Sequence, residues 1–169
     1  MAVLSVVLAG VSVLIAYLFV WPDLPPLPRQ ADVIVQLGGP GSRRLVALNL
    51  ARQGRAPLVA ISVSVDEVNT KWCHKGRLGD VSVVCFHSKP FTTRGEARAI
   101  AEMAEQHRWQ SVILVTTPDQ ASRATLRVSR CFDGKIFVAT ARLPWYQWPA
   151  QIVYQSGATV KAYTVETSC

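Results

Sequence analysis

The first twenty-one residues, Met1 to Trp21, carry no charged side chain, and that absence restricts this chain more than any other feature. A helix rising about 1.5 Å per residue needs about twenty residues to cover the roughly 30 Å of a bilayer core. A cleaved secretory signal would place basic residues before the apolar run and a small-x-small site after it. Here no basic side chain precedes the run, and Tyr17-Leu18-Phe19-Val20-Trp21 is bulky to its end. Residues 1–21 therefore read as an uncleaved transmembrane anchor, in preference to a signal peptide or a buried core helix. Four prolines between Pro22 and Pro28 then predict a stiff extended spacer over 22–30. The remainder, 31–169, is long enough for one domain with its own core.

All 18 Lys and Arg and all 11 Asp and Glu follow the anchor, so the net charge of +7 belongs to the spacer and domain. A basic domain favours anionic partners, set against the plainer reading of a solvated basic surface. Nucleic acid is not expected, because no Lys/Arg run is interleaved with aromatics. The charges flanking the apolar run barely orient it, so the cysteines decide its direction. An even count, Cys73, Cys85, Cys131 and Cys169, suits disulfides and an extracytoplasmic domain. Cys73 with Cys85 and Cys131 with Cys169 is the preferred pairing; reduced buried thiols are the alternative. A zinc site of Cys73, His74, Cys85 and His87 lacks a usual ligand spacing.

Asp32-Val33-Ile34-Val35-Gln36-Leu37 is a β-branched run that meets Gly38-Gly39-Pro40-Gly41, and a helical pattern follows from Ser42 to Gln53. Further strands are predicted over 57–64, 81–86, 112–116 and 135–140, with 65–80 polar and irregular. Amphipathic helices are predicted over 94–108 and 118–131. A last helix over 145–163 is expected to pack Trp145, Tyr146 and Trp148 on the sheet. Apolar strands alternating with amphipathic helices define an α/β class, a Rossmann-like three-layer sandwich with a mostly parallel sheet of about five strands.

In such sheets ligands gather at the carboxyl ends of the strands. Three helix starts fall on that edge. Gly38-Gly39 with Arg43 offers backbone N–H groups and a guanidinium to an anion, although neither Walker nor dinucleotide spacing is present and no cofactor is implied. Thr93-Arg94-Gly95-Glu96 fits a capping box, and Thr117-Pro118-Asp119-Gln120 fits the same rule with proline at the first helical position, so each also has an ordinary structural reason. Taken together they predict Gly38, Gly39, Arg43 and Thr93 as ligand-binding residues, joined by Thr116, Thr117, Gln120 and Arg123. Glu96 and Asp119 are the candidate catalytic carboxylates, with Asp66 and Glu67 as others. The histidines His74, His87 and His107 are scattered, and no Ser-His-Asp set assembles.

The order of these segments resembles the YdcF/SanA/ElyC-like family, domains of unknown function, over nearly all of 31–138. Asp32 to Gly39 looks like its opening strand and glycines, and Arg43-x-x-x-Ala47-x-x-Leu50 like its arginine-led first helix. Thr92-Thr93-Arg94-Gly95-Glu96-Ala97 stands in the place of its Asn-Thr-x-x-Asn-Ala segment. Val115-Thr116-Thr117-Pro118-Asp119-Gln120-Ala121-Ser122-Arg123-Ala124 looks like its Val-Thr-Ser-x-x-His-x-x-Arg-Ala signature. Gln120 replaces the histidine, Glu96 an asparagine, and Ile61-Ser62-Val63-Ser64 lacks a Ser-Gly-Gly, which argues against a histidine-dependent reaction. The resemblance implies a membrane-anchored extracytoplasmic protein of envelope biogenesis. Its crevice would bind a phosphate-bearing envelope precursor or lipid-carrier head group, with phosphoester hydrolysis or transfer as the reaction if there is one. The alternatives are a scaffold contacting other envelope proteins and a binder of S-adenosylmethionine or another nucleotide-like ligand.

Overall fold

The computed structural model of the chain describes residues 2–39, 41–64 and 71–169. It opens with α1 (Ala2–Ile15), which passes into a π-helical turn, Ala16–Val20. The uninterrupted spanning helix expected over 1–21 is not what forms. Fourteen residues of α-helix rise only about 21 Å, and among the described residues no helix is long and apolar enough to cross a membrane.

The domain follows as β1 (Val33–Gln36), α2 (Arg43–Arg52), β2 (Leu58–Ser62), α3 (Lys71–Lys75), β3 (Arg77–Leu78), β4 (Val81–Phe86), α4 (Thr93–His107), β5 (Ser111–Thr116), α5 (Pro118–Ser129), β6 (Lys135–Thr140) and α6 (Trp148–Thr164). The strands form one sheet of order β3-β4-β2-β1-β5-β6, parallel except for the two-residue edge strand β3. All five strands predicted from sequence are present; α3 and β3 arise in the stretch read as irregular.

Side chains along each strand alternate between two cores, as the period of a strand requires. Val33 and Val35 of β1 and Val112 and Leu114 of β5 meet Ala97, Ile100, Ala121, Ala124 and Val128 of α4 and α5. Ile34, Val59, Ile61, Ile113 and Val115 face Ala47, Leu48 and Leu50 of α2 on the other side. At the opposite edge of the sheet, Asp32 Oδ2 accepts the backbone N–H groups of Gln110 and Ser111 at 2.7 and 2.8 Å, tying the chain before β1 to that before β5.

The proline-rich spacer lies against the domain: Leu24 and Leu27 touch the two cores, and Arg55 donates to the Pro28 carbonyl at 2.6 Å. The π-helical turn packs on α5, and Phe19 is buried there. The aromatic cluster divides, with Trp148 partly buried and the other two turned to solvent. Trp145 and Tyr146, in a 3-10 turn before α6, are 83 % and 65 % exposed, and α6 docks on α5, burying Gln155 and Ala162. Both preferred disulfides form, Cys73–Cys85 and Cys131–Cys169. The first consumes the thiols a zinc site would need, and no metal-ligating cluster is found among the described residues.

Candidate functional site

The chain leaves β1 for α2 on one face of the sheet and β5 for α5 on the other, so a crevice must open between these two central strands. A cavity of about 200 Å³ lies there. Gly38, Gly39 and Glu96 line it, with Thr93, Gln120 and Arg123 alongside, and α6 closes it with Gln151, Tyr154 and Gln155. Three separate predicted segments therefore converge. The wall from α6, together with Phe91, was not read from the sequence; Gln155 is a neutral residue on a helix with no motif to mark it.

The start of α4 differs from the expected capping box by one residue, and the site depends on the difference. Thr92, not Thr93, is the N-cap, its hydroxyl accepting the Gly95 N–H at 3.2 Å. Thr93 thereby becomes the first helical residue and turns its hydroxyl to Gln120 Nε2 at 2.9 Å. Glu96 is released from the box, and its Oε1 accepts the Gly38 N–H at 2.6 Å. This close approach explains the glycine: a Cβ at Gly38 would sit 2.9 Å from the Phe91 ring and 3.3 Å from Glu96 Oε1. Glu96 is buried, and burial raises its carboxyl above the ordinary value, opposed by the nearby Ser62 hydroxyl, the Gly38 N–H and the charges of Arg43 and Arg123.

The start of α5 is also rewired. Thr117 is the N-cap and Pro118 the first helical residue, as expected, yet the Thr117 hydroxyl makes no cap bond. It accepts from Arg43 Nη2 at 2.8 Å, while Arg43 Nη1 donates to the Leu37 and Gly38 carbonyls. Arg43 is thus committed to bracing the glycine loop, and burial pushes its guanidinium down to about 10 against the pull of Asp119 and Glu96. Gln120 joins two segments, accepting from Thr116 Oγ1 at 3.1 Å while donating to Thr93.

Arg123 behaves differently. Its Nε donates to Gln155 Oε1 at 2.9 Å, and Gln155 Nε2 in turn donates to Asp119 Oδ2 at 3.1 Å. Among the described residues neither Arg123 Nη has a protein acceptor, although the residue is only 7 % exposed. A buried guanidinium held by its Nε and open at both Nη atoms keeps unspent hydrogen-bond donors beside the cavity.

The predicted residues consequently divide. Gly38, Gly39, Arg43, Thr93, Glu96, Gln120 and Arg123 line the cavity. Thr116, Thr117 and Asp119 do not; they are buried beneath it and position Gln120, Arg43 and Gln155 respectively. The two threonines and Asp119 therefore stand one layer behind the cavity lining rather than in it. None of the three histidines lines the cavity, and Asp66 and Glu67 lie outside the described residues. No protein-family model matches the chain, and no curated protein matches it in sequence.

Proposed function

We propose that this crevice binds a phosphate-bearing ligand of the kind an envelope precursor or lipid carrier presents as its head group, in a protein attached to a membrane with its domain outside the cytoplasm. Arg123 carries the reading: it is buried, oriented by Gln155, and without a partner for either Nη atom among the described residues where it meets the cavity. The Gly39 backbone, at φ +121° and without a Cβ that would meet the Arg43 guanidinium at 2.9 Å, leaves room for close approach. Thr93 and Gln120 supply neutral polar groups beside it.

Membrane attachment is supported by Val3, Leu4, Val6, Val7, Val13 and Leu14, all more than half exposed on a helix with no charge. The two disulfides favour an oxidising compartment. The ordered resemblance to the YdcF/SanA/ElyC-like family leads to the same place. Where turnover occurs, Glu96 is the carboxyl within the cavity whose raised pKa suits proton transfer in a phosphoester hydrolysis or transfer.

A scaffold reading rests on a different observation, the apolar and aromatic exposure of Trp145, Tyr146, Val153 and Val160. An S-adenosylmethionine-sized ligand exceeds the first cleft taken alone, at about 200 Å³ against the roughly 300–1,000 Å³ of pockets for such molecules. Thermal unfolding of the full chain in neutral detergent against phosphate and a lipid phosphate tests the proposal. A ligand at a hundredfold excess over its Kd stabilises the fold by about 2.7 kcal/mol, and Arg123→Ala should abolish the effect. Stabilisation by neither compound would transfer the case to the scaffold reading.

A further inference from the structure

A second cleft, of about 250 Å³, opens beside the first, and Thr92, Thr93, Arg123 and Tyr154 line both. Among the described residues, five cationic side chains, Arg94, Arg98, Arg123, Arg127 and Lys161, face it against a single acidic side chain, Glu166. They come from three helices. Two lie in the first turns of α4, two stand one turn apart on α5, and Lys161 sits near the end of α6. No motif in the sequence unites them, because only the tertiary fold brings them to one place.

Their existing partners leave the charge in surplus. Glu166 pairs with Arg127 and, at 2.9 Å, with Lys161. Arg94 and Arg98 reach the Cys169 backbone oxygen, Arg94 Nη2 at 2.9 Å and Arg98 Nη2 at 2.7 Å. Arg127 is buried, and its guanidinium is pushed below the ordinary value by that burial and by the nearby Arg130 and Arg94, against the pull of Glu166. Like charges gathered around a half-enclosed cleft create the field that an anion relieves. Arg123 stands at the junction, and its two open Nη atoms can serve oxygens of two neighbouring groups at once.

We infer that the second cleft is a second anion subsite, so that the ligand is a diphosphate whose two phosphoryl groups occupy the two clefts with Arg123 between them. This rests on the phosphate reading of the first cleft and specifies it.

Calorimetric titration of the full chain in neutral detergent with inorganic phosphate and with pyrophosphate tests it, using wild type, Arg98→Ala and Lys161→Met. Arg98 and Lys161 are exposed and line only the second cleft, and surface changes of this kind leave folding nearly untouched. Pyrophosphate should bind the wild type at least about tenfold more tightly than phosphate, as an added charge-assisted hydrogen bond provides. Each variant should lose about three- to tenfold in pyrophosphate affinity and clearly less in phosphate affinity, which the first cleft retains. Equal affinity of the wild type for the two anions overturns the second subsite and spares the first, as do variants that weaken both anions alike or neither. Binding of neither anion by the wild type removes the phosphate reading itself.

Discussion

Replacing Cys131 and Cys169 by serine should destabilise the domain by about 1 kcal/mol more than replacing Cys73 and Cys85. The bridges span 38 and 12 residues of sequence. In the chain-entropy description, closing loops of those lengths removes unfolded-state freedom equivalent to about 3.9 and about 2.8 kcal/mol at 25 °C. The difference depends on loop length alone. Losing the longer bridge also unfastens the segment whose Glu166 pairs with the buried Arg127, which acts in the same direction as the entropic difference. Urea unfolding followed by tryptophan emission, with Trp109 buried as a reporter, measures both double variants, provided the denaturant slope is unchanged. A Cys131→Ser/Cys169→Ser chain that is as stable as wild type, or more stable than the other double variant, would refute the reasoning. Reduction of both bridges removes about 7 kcal/mol, comparable with the whole stability of an ordinary domain at about 5–15 kcal/mol. A chain retained in a reducing cytosol should therefore accumulate poorly, and unimpaired folding there would remove the argument for an oxidising compartment.

Arg123→Met should lower phosphate affinity by about 10- to 100-fold, the worth of a lost charge-assisted hydrogen bond. Arg123→Lys should restore only part of it, because an ammonium lacks the planar fork; unchanged affinity by calorimetry in the Met variant would remove Arg123 from the site. The raised carboxyl of Glu96 means that the folded state holds this proton more tightly than the unfolded chain, so ionised Glu96 works against stability. That penalty is absent below the unfolded value of 4.5 and complete above the folded one. Glu96→Gln keeps an acceptor for the Gly38 N–H and should raise the urea midpoint at about pH 8, with the gain vanishing near about pH 4; a gain confined to the acid side would reverse the sign and defeat the assignment. Gly95→Ala places a Cβ 2.0 Å from the Pro90 carbonyl oxygen. It should cost about 3 kcal/mol or more in unfolding free energy, and a variant of wild-type stability would show that the start of α4 can shift.

The sheet was legible because its strands are short, β-branched and bounded by glycine, proline and amphipathic helices, so that period and punctuation agree. The edge strand β3 was not, since two residues carry no period. Between the predicted apolar α1 and the observed one, the difference lies at Phe19: its burial against the domain is a tertiary contact that hydropathy cannot register. The site shows the same boundary between local and long-range information. Pattern placed Gly38, Thr93, Glu96, Gln120 and Arg123 on one edge of the sheet, but it assigned Thr93 and Glu96 to each other as a capping box. A one-residue shift of the cap to Thr92 sends one of them to Gln120 and the other to Gly38. Gln155 and the arginines of the second cleft depend on how α6 docks, and no local pattern specifies that.

That docking gives α5 a role beyond carrying Gln120 and Arg123. The π-helical turn that ends the apolar N-terminal segment packs on it, as do α4 and α6. Arg123 is oriented through Gln155 on α6, and Gln155 is held in turn by Asp119 at the start of α5. A shift of α5 along its axis would therefore displace the Arg123 guanidinium, the Thr93–Gln120 bond and the seat of Phe19 together, because packed helices move as units rather than deforming residue by residue. The position of the N-terminal segment and the geometry of the crevice are thus set by contacts on one helix. If that coupling holds, Phe19→Ala should weaken phosphate binding although its side chain lies outside the cavity. Unchanged phosphate affinity in that variant would show that the N-terminal segment and the crevice are energetically independent.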